Sequence, residues 1–250
     1  MRLAILADIH GNQKAFEAVL TDLKEAGGAD KTWILGDLCA LGPRPTECLQ
    51  MIREIPEVQV ISGNTDRYVT TGKIIATPPK DEAEWQQFPT KLHQAVDTYG
   101  WTMAQLSYAD YEYLSKLQHE VELHIPGYGW VIGYHGAPGN DEYMLLPDTP
   151  AEETLDQFLD QEGRLGFGGH THVPMDRDLG QWRVVNVGAV GLPKDEQRAC
   201  YVLVDFTDGT ANIAFRRVAY DIDAVIADLK QQDHPATERI IGMLTGQTSA

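Results

Sequence analysis

The chain contains few cysteines, and their spacing excludes several kinds of site. Cys39, Cys48 and Cys200 are odd in number and form no Cys-x-x-Cys pair. A disulfide framework therefore does not fit, and neither does a zinc site built from thiolates. Reduced thiols are expected instead, as in a protein that works in a reducing compartment.

Basic residues are also scarce. Lys and Arg together number 20 against 37 Asp and Glu, so the formal net charge is −17. Proteins that capture DNA, RNA or anionic lipid rely on Lys and Arg at the phosphates, so a nucleic-acid polymer is not expected as a ligand. A small phosphorylated substrate is still compatible with this charge, because a bound metal ion reverses the local sign of the field.

Long hydrophobic runs are missing too. The longest apolar runs have the length of a strand, as at residues 130–134, and none could span a bilayer. The apolar stretch at residues 2–7 is too short for the core of a signal peptide, and Asp8 and His10 follow it at once. We therefore expect a cytoplasmic protein without membrane association.

The hydrophobic pattern of the first 65 residues alternates between strand and helix periods. Short links between these segments imply parallel strands with right-handed crossovers. The predicted strands are 2–7, 32–35, 58–61, 121–125, 130–134, 165–167, 182–187, 200–206 and 212–218, and the predicted helices follow Asn12, cover 45–53, lie near 152–159 and follow Asp221.

We expect a single domain over residues 1–250. The stretch from about 70 to 118 is polar, aromatic and helical in pattern, with prolines as breakers. One interpretation is a helical insertion that packs beside the site as a cap. The other is a helix pair that continues the α/β layers, and the pattern does not separate the two.

Five short clusters of polar residues come where predicted strands end. They cover residues 8–12, 36–37, 63–66, 135–136 and 168–172. Ligands of open α/β sheets bind beyond the carboxyl ends of the strands, so these clusters are expected to converge on one place.

The residue types in the clusters are typical of a metal site. Asp8 and His10 point the same way on an extended segment, and His170 and His172 repeat that spacing. Oxygen and nitrogen ligands without thiolate favour Mn, Fe, Co, Ni or Zn over Ca or Mg. Two such ions need a shared ligand, and Asp37 is the best candidate because an isolated carboxylate after an apolar strand needs a partner. Its alternative role is the N-cap of the segment that follows.

The order D-x-H-G-N, G-D, G-N-x-D, H-G and G-H-x-H resembles the calcineurin-like metallophosphoesterase superfamily. Within it, the chain is most similar to the bacterial branch described as diadenosine-tetraphosphatase-like or phosphodiesterase-like. The resemblance runs from residue 2 to about 220 and includes an N-x-G-A-x-G-x-P turn at 186–193. It implies an α/β fold, a four-layer αββα sandwich around two divalent metal ions, of which manganese is the first expectation.

The resemblance also implies roles for single residues. One metal would be held by Asp8, His10 and His172, the second by Asn64, His135 and His170, with Asp37 between them. A hydroxide between the metals would attack the phosphorus, so Asp8, Asp37 and Asn64 are the expected catalytic residues. Asn12 and Arg67 are candidate substrate contacts, with helix capping and a solvated surface position as their alternative roles.

One position departs from the family pattern. Many members carry a histidine after the asparagine of G-N-x-D, which protonates the leaving oxygen or steadies the transition state, and this chain has Thr65 there. A hydroxyl without a pKa near neutrality cannot replace imidazole as a general acid. Asp66, Arg67 and His93 are candidate substitutes.

The expected function is hydrolysis of a small phosphodiester, a nucleotide or a phosphomonoester with a good leaving group. Two other readings remain at this stage. One is a non-catalytic binding module that keeps the fold, and the other is a phosphoprotein phosphatase.

Overall fold

The computed structural model describes residues 1–74 and 78–247 of the chain. The elements are β1 Arg2–Leu6, α1 Gln13–Glu25, β2 Lys31–Leu35, α2 Pro45–Arg53, β3 Val58–Ile61, α3 Asn64–Thr71, α4 Glu82–Gln105, α5 Tyr108–Ser115, β4 Val121–Ile125, β5 Gly129–Gly133, α6 Ala151–Asp156, β6 Leu165–Gly168, β7 Met175–Asp178, β8 Arg183–Asn186, β9 Ala199–Thr207, β10 Thr210–Val218, α7 Ile222–Gln231 and α8 Thr237–Thr245. None of the described helices combines the length and the apolar character needed to cross a bilayer.

The strands form two sheets of five. The first has the order β10-β9-β1-β2-β3, and the second has the order β4-β5-β6-β8-β7. The predicted parallel pairing of β1, β2 and β3 is confirmed, and β5, β6 and β8 are parallel to one another in the second sheet. The carboxyl ends of these parallel strands carry the clusters singled out in the sequence.

The core is layered because alternate side chains of each strand point to opposite faces. On β1, Leu3 and Ile5 enter the core between the two sheets, whereas Ala4 and Leu6 pack against the helices of the first sheet. A third core covers the outer face of the second sheet, where Phe158 lies beyond α6. These layers give the predicted αββα sandwich.

The helical region after β3 packs on the outer side of the first sheet. Leu114 is buried there, and Leu106, Tyr113 and Leu117 lie partly buried against the same core. Residues 75–77 of the predicted insertion lie outside the described residues. The assignment of this region as a cap stays a prediction.

Three elements were not predicted: α3, which begins within the predicted polar cluster at 63–66, and β7 and α8. β7 has one apolar residue, Met175, and therefore shows no hydrophobic alternation; it lies at the edge of the second sheet and pairs with β8. α8 follows α7 at the end of the chain, and the two helices share a small core of their own with Leu192. α6 is also shorter than predicted, since it ends at Asp156 rather than near residue 159.

Candidate metal centre

Five of the seven predicted ligand residues share an unusual backbone conformation. Asp8, His10, Asp37, His170 and His172 all have positive φ, with values from 50° at His10 to 66° at His170. Left-handed backbone is disfavoured for residues with a Cβ and costs roughly 1–3 kcal/mol at each position. Five such residues at the ends of neighbouring strands indicate a functional site, because the surrounding structure must hold them there.

Backbone hydrogen bonds between the strand ends hold these turns. His10 N donates to Asp37 O at 2.9 Å, and Asp8 N donates to Gly36 O at 3.1 Å. The loop after β6 is joined to the first sheet by His170 N, which donates to the Asp8 carboxylate at 2.9 Å. The two sheets therefore meet at this edge through residues of the site itself.

One group of ligand atoms consists of Asp8, His10 and His172, whose ligand atoms lie within 4.8 Å of one another. The Nε2 atoms of the two histidines are 3.1 Å apart. His10 Nδ1 faces Ala40 O at 3.1 Å and His172 Nδ1 faces Leu192 O at 2.7 Å, so both rings carry their proton on Nδ1. Two Nε2 lone pairs then face each other, which is the arrangement that a cation between them resolves.

A second group of ligand atoms consists of Asp37, His135 and His170. His135 Nδ1 donates to Leu35 O at 2.7 Å, which turns Nε2 toward the site. The Asn64 carboxamide oxygen lies 3.0 Å from both His135 Nε2 and His170 Nδ1. Asn64 therefore belongs to this second group.

Asp37 lies between the two groups. One carboxylate oxygen is 3.6 Å from His10 Nε2, and the other is 3.4 Å from His135 Nε2. Thr65 N donates to the latter oxygen at 2.9 Å and fixes the plane of the carboxylate. No helix begins in residues 38–44, so the N-cap interpretation of Asp37 is wrong.

The electrostatics of the site favour the charged form of the acids. Burial alone would raise the pKa of the Asp8 and Asp37 carboxyls, but His172 beside Asp8 and His135 beside Asp37 hold both below their usual value. Burial lowers the pKa of His10 to about 4, which keeps this imidazole neutral. Burial would also lower the pKa of His135, but the Asp37 carboxylate beside it raises this pKa to about 10.

The residues present fit two divalent metal ions. The donors are two carboxylates, four imidazoles and a carboxamide, and they form two adjacent groups that Asp37 joins. Mixed nitrogen and oxygen donors without thiolate match Mn, Fe, Co, Ni or Zn. The Thr65 hydroxyl beside Asp37 is buried and has no hydrogen-bond partner among the described residues, so this edge of the site has one unused polar group.

Close backbone approach at Gly63 places Asp37 and Asn64 next to each other. A Cβ at Gly63 would lie about 2.5 Å from Asp37 N and would also strike the Asp37 carboxylate. We expect Gly63→Ala to destabilise the fold by about 1–3 kcal/mol and to weaken metal binding. Urea unfolding of the two proteins measures the first effect.

Gly100→Ala is the matched control for Gly63→Ala. Gly100 lies within α4, and a Cβ there would meet no atom within 4 Å. Alanine is the better helix former by about 1 kcal/mol, so this variant should be as stable as the parent or more stable. Equal urea midpoints for Gly63→Ala and the parent would show that the close approach is not required.

The candidate substrate contacts have clear structural roles. Asn12 caps α1 as predicted, since its Oδ1 accepts from Ala15 N at 3.1 Å. Arg67 is not a solvated arginine, because its guanidinium binds Asp141 at 2.8 Å and also Glu142. Contact of either residue with substrate stays a prediction.

The three candidate substitutes for the missing histidine differ in position. The Asp66 carboxylate is buried and accepts from Leu38 N at 2.9 Å and Gly63 N at 3.0 Å, so it holds backbone together. Arg67 is paired with its two acids, and His93 is exposed on α4. None of the three points a free acid at the centre.

Two residues near the centre were given no role by the sequence. His119 is exposed and, with His135, lines a cavity of about 310 Å³ beside the second group of ligands. His119 lies there because the neighbouring Gln118 pairs with Ile61 at the end of β3. No local sequence pattern predicts that contact. Asn186 donates to Gly169 O at 2.5 Å and to Thr171 Oγ1 at 3.0 Å, and so shapes the loop that carries His170 and His172.

Comparison with known proteins gives a consistent result. Residues 1–209 match the model of the calcineurin-like phosphoesterase superfamily domain. A protein of Methanocaldococcus jannaschii is 30% identical over 240 residues, and the match covers 88% of this chain and 88% of that protein. A symmetrical bis(5'-nucleosyl)-tetraphosphatase of Cronobacter sakazakii is 31% identical over 84 residues, which is 32% of this chain and 30% of that protein.

Solved structures agree over nearly the whole chain. The crystal structure of a metallophosphoesterase from Sphaerobacter thermophilus matches with a TM-score of 0.75 and 27% identity, over 99% of this chain and 100% of the other. The crystal structure of a hypothetical protein from Pyrococcus horikoshii matches with a TM-score of 0.80 and 28% identity, over 97% of each chain. Both therefore share the complete two-sheet arrangement.

Proposed function

Because the chain belongs to the calcineurin-like phosphoesterase superfamily, we propose that it hydrolyses small phosphoesters with the help of two divalent metal ions. The observation that carries this proposal is the pair of adjacent ligand groups joined by Asp37. The proposed ligands are Asp8, His10, Asp37, Asn64, His135, His170 and His172.

The residues of this chain would bind and orient the substrate at one open side. Most of the proposed ligands are buried, and the partly exposed ones are His170 and His172. When bound, two cations would neutralise the charge of a phosphoester and make water acidic enough to attack it near neutral pH. Asp8, Asp37 and Asn64 would keep that arrangement rigid, and the Thr65 N–H would hold the carboxylate of Asp37.

The substrate that fits this site best is a small ester with a good leaving group. The net charge of −17 is unfavourable for a nucleic-acid polymer. Arg67 is held by Asp141 and Glu142 on the wall of the cavity that His135 also lines, where it could contact a second anionic group. We place the activity in the cytoplasm, because the buried, free thiols of the chain suit a reducing compartment.

A non-catalytic binding module is supported less well. The complete ligand set, the buried acids and the positive φ values together would serve no purpose in a protein that only presents a surface. No described feature favours a protein substrate over a small molecule.

The decisive experiment combines metal analysis with an activity panel. We expect about two metal equivalents per chain after growth or reconstitution with Mn, Co, Ni or Zn, with manganese tried first. The panel contains phosphodiesters, nucleotides and phosphomonoesters, each assayed with every metal. Hydrolysis that persists at full rate after the metal has been removed would refute the proposal.

Metal removal should also lower thermal stability. An ion that binds the folded state alone stabilises it by about 2.7 kcal/mol at a concentration of 100 times its Kd. For a chain of this size, that corresponds to a Tm shift of roughly 5–10 °C for each ion. Thermal unfolding with and without a chelator measures the shift, and adding metal back should restore the original Tm.

Asp37→Asn is the control for the chelation experiment. The chelator should lower the Tm of Asp37→Asn much less than that of the parent protein, because the variant lacks the carboxylate that both metal ions would share. A chelator that leaves the Tm of the parent protein unchanged would contradict tight binding by the folded state.

A further inference from the structure

A second cavity lies between α3 and α4, away from the cavity that His119 lines. Its volume is about 410 Å³, within the range of cavities that hold small ligands. The residues that matter here are two lysines and four apolar or aromatic residues: Lys80, Lys91, Tyr68, Phe88, Leu92 and Tyr99.

The cavity adjoins the candidate metal centre. Tyr68 lines the cavity and lies one helical turn after Asn64, so the two side chains share a face of α3. Burial raises the pKa of Tyr68 to about 12, and the Asn64 side chain lies near enough to its hydroxyl to oppose that rise. Tyr99 packs its ring edge-on against Tyr68, with 5.3 Å between the centroids. Tyr68 is therefore the residue that links the lining of the cavity to the helix face of Asn64.

The walls are suited to a planar ring. Phe88, Leu92 and Tyr99 recur at i, i+4 and i+11 of α4, which puts them along one face of that helix. Phe88 and Tyr99 are only partly buried, so their rings are available for contact. Aromatic side chains in this position stack on planar groups such as nucleobases.

The cavity is lined by two positive charges, Lys80 and Lys91, against the one negative charge of Glu84, so its balance is opposite in sign to that of the protein as a whole. Within the described ranges, ion pairs of lysine involve Lys14, Lys31 and Lys116, and neither cavity lysine takes part in one. In a chain of net charge −17, two free ammonium groups beside an aromatic wall favour an anionic ligand.

We propose that the cavity between α3 and α4 binds the organic part of the phosphoester. The ligand class is a nucleotide-like ester, with a planar ring against Phe88 and Tyr99 and a further negative charge at Lys80 and Lys91. This assignment rests on the proposed function, since it places the group next to the phosphoester bond that the metal centre would cleave.

The test is a calorimetric titration of the metal-loaded protein. The probes are adenosine 5'-monophosphate, ribose 5-phosphate and inorganic phosphate. We expect the nucleotide to bind about tenfold more tightly than ribose 5-phosphate, because only the nucleotide offers a base for stacking. Phe88→Ala should remove most of that difference, and Lys91→Gln should weaken nucleotide binding two- to fivefold.

Met103→Ala is the matched control, because Met103 is exposed on the same helix outside the cavity. It should leave the affinity for all three probes unchanged. Equal affinities for the nucleotide and ribose 5-phosphate in the parent protein, or an unchanged affinity in Phe88→Ala, would overturn the assignment.

Failure of the proposed function gives a different result. Nucleotide binding that depends on Phe88, without hydrolysis of any ester in the panel, would support the cavity and refute catalysis. Hydrolysis of simple alkyl and aryl esters with no preference for nucleotides would support catalysis and refute the cavity.

Discussion

Replacing Asp37 with asparagine is expected to lower kcat/KM for any phosphoester by about 10³-fold or more and to remove at least one metal equivalent per chain. The reason is the position of the Asp37 carboxylate between the two ligand groups. The two carboxylate oxygens lie 3.6 Å from His10 Nε2 and 3.4 Å from His135 Nε2, so a single side chain serves both ligand groups. Asparagine offers one neutral oxygen where two charged ones are required. Metal analysis and kinetics on the same preparation measure both losses.

The control for this variant is Asp160→Asn, which removes the same charge from an exposed position after α6. It should keep full activity and both metal ions. The bridging role would be wrong if Asp37→Asn stayed fully loaded and active. Circular dichroism and Tm values of both variants separate a loss of metal from a loss of fold.

Thr65→His is expected to accelerate the hydrolysis of esters with poor leaving groups by about 10²–10⁴-fold and to change good leaving groups little. In the parent protein, the rate should therefore fall steeply as the pKa of the leaving group rises, since Thr65 offers no acid near neutrality. The measurement is kcat/KM for aryl and alkyl phosphoesters in both proteins. Single-turnover rates give the cleaner comparison, because product release can hide the slope.

Thr65→Val tests the same position without adding an acid. The Thr65 hydroxyl has no partner among the described residues, so the isosteric change should leave the slope as it is in the parent. Metal content must be equal in all three proteins for the comparison to hold. A parent protein that is insensitive to the leaving group would point to another acid, and His119 is the first residue to replace because it shares a cavity with His135.

The sequence predicted which residues would lie close together, because all of the proposed ligands follow strand ends. Parallel strands of one sheet end at the same edge, which brings residues 8–10 and 36–37 together. The packing of the two sheets then places His170, which follows a strand of the second sheet, beside Asp8. The family motif then supplied the division into two groups. The αββα arrangement was likewise implied by the family resemblance.

Other features depended on contacts between distant segments, which the sequence does not reveal. From the sequence, Arg67 is expected to be a solvated surface residue, because nothing local shows that Asp141 and Glu142, in a loop of the second sheet, bind its guanidinium. β7 is held at a sheet edge by backbone pairing with β8, and its side chains carry no hydrophobic period. The cavity between α3 and α4 was not predicted either. Aromatic residues on one face of a helix are as typical of a packed core as of a binding cavity, so the pattern does not distinguish the two.

The backbone conformation at the centre lowers the stability of the fold while it positions the side chains of the site. Asp8, His10, Asp37, His170 and His172 occupy a conformation that glycine adopts freely and that L-residues adopt at a cost. Selection for a more stable fold alone would exchange these side chains for glycine or asparagine, one position at a time. A gene copy released from selection for activity should therefore lose these five side chains early while keeping the sandwich.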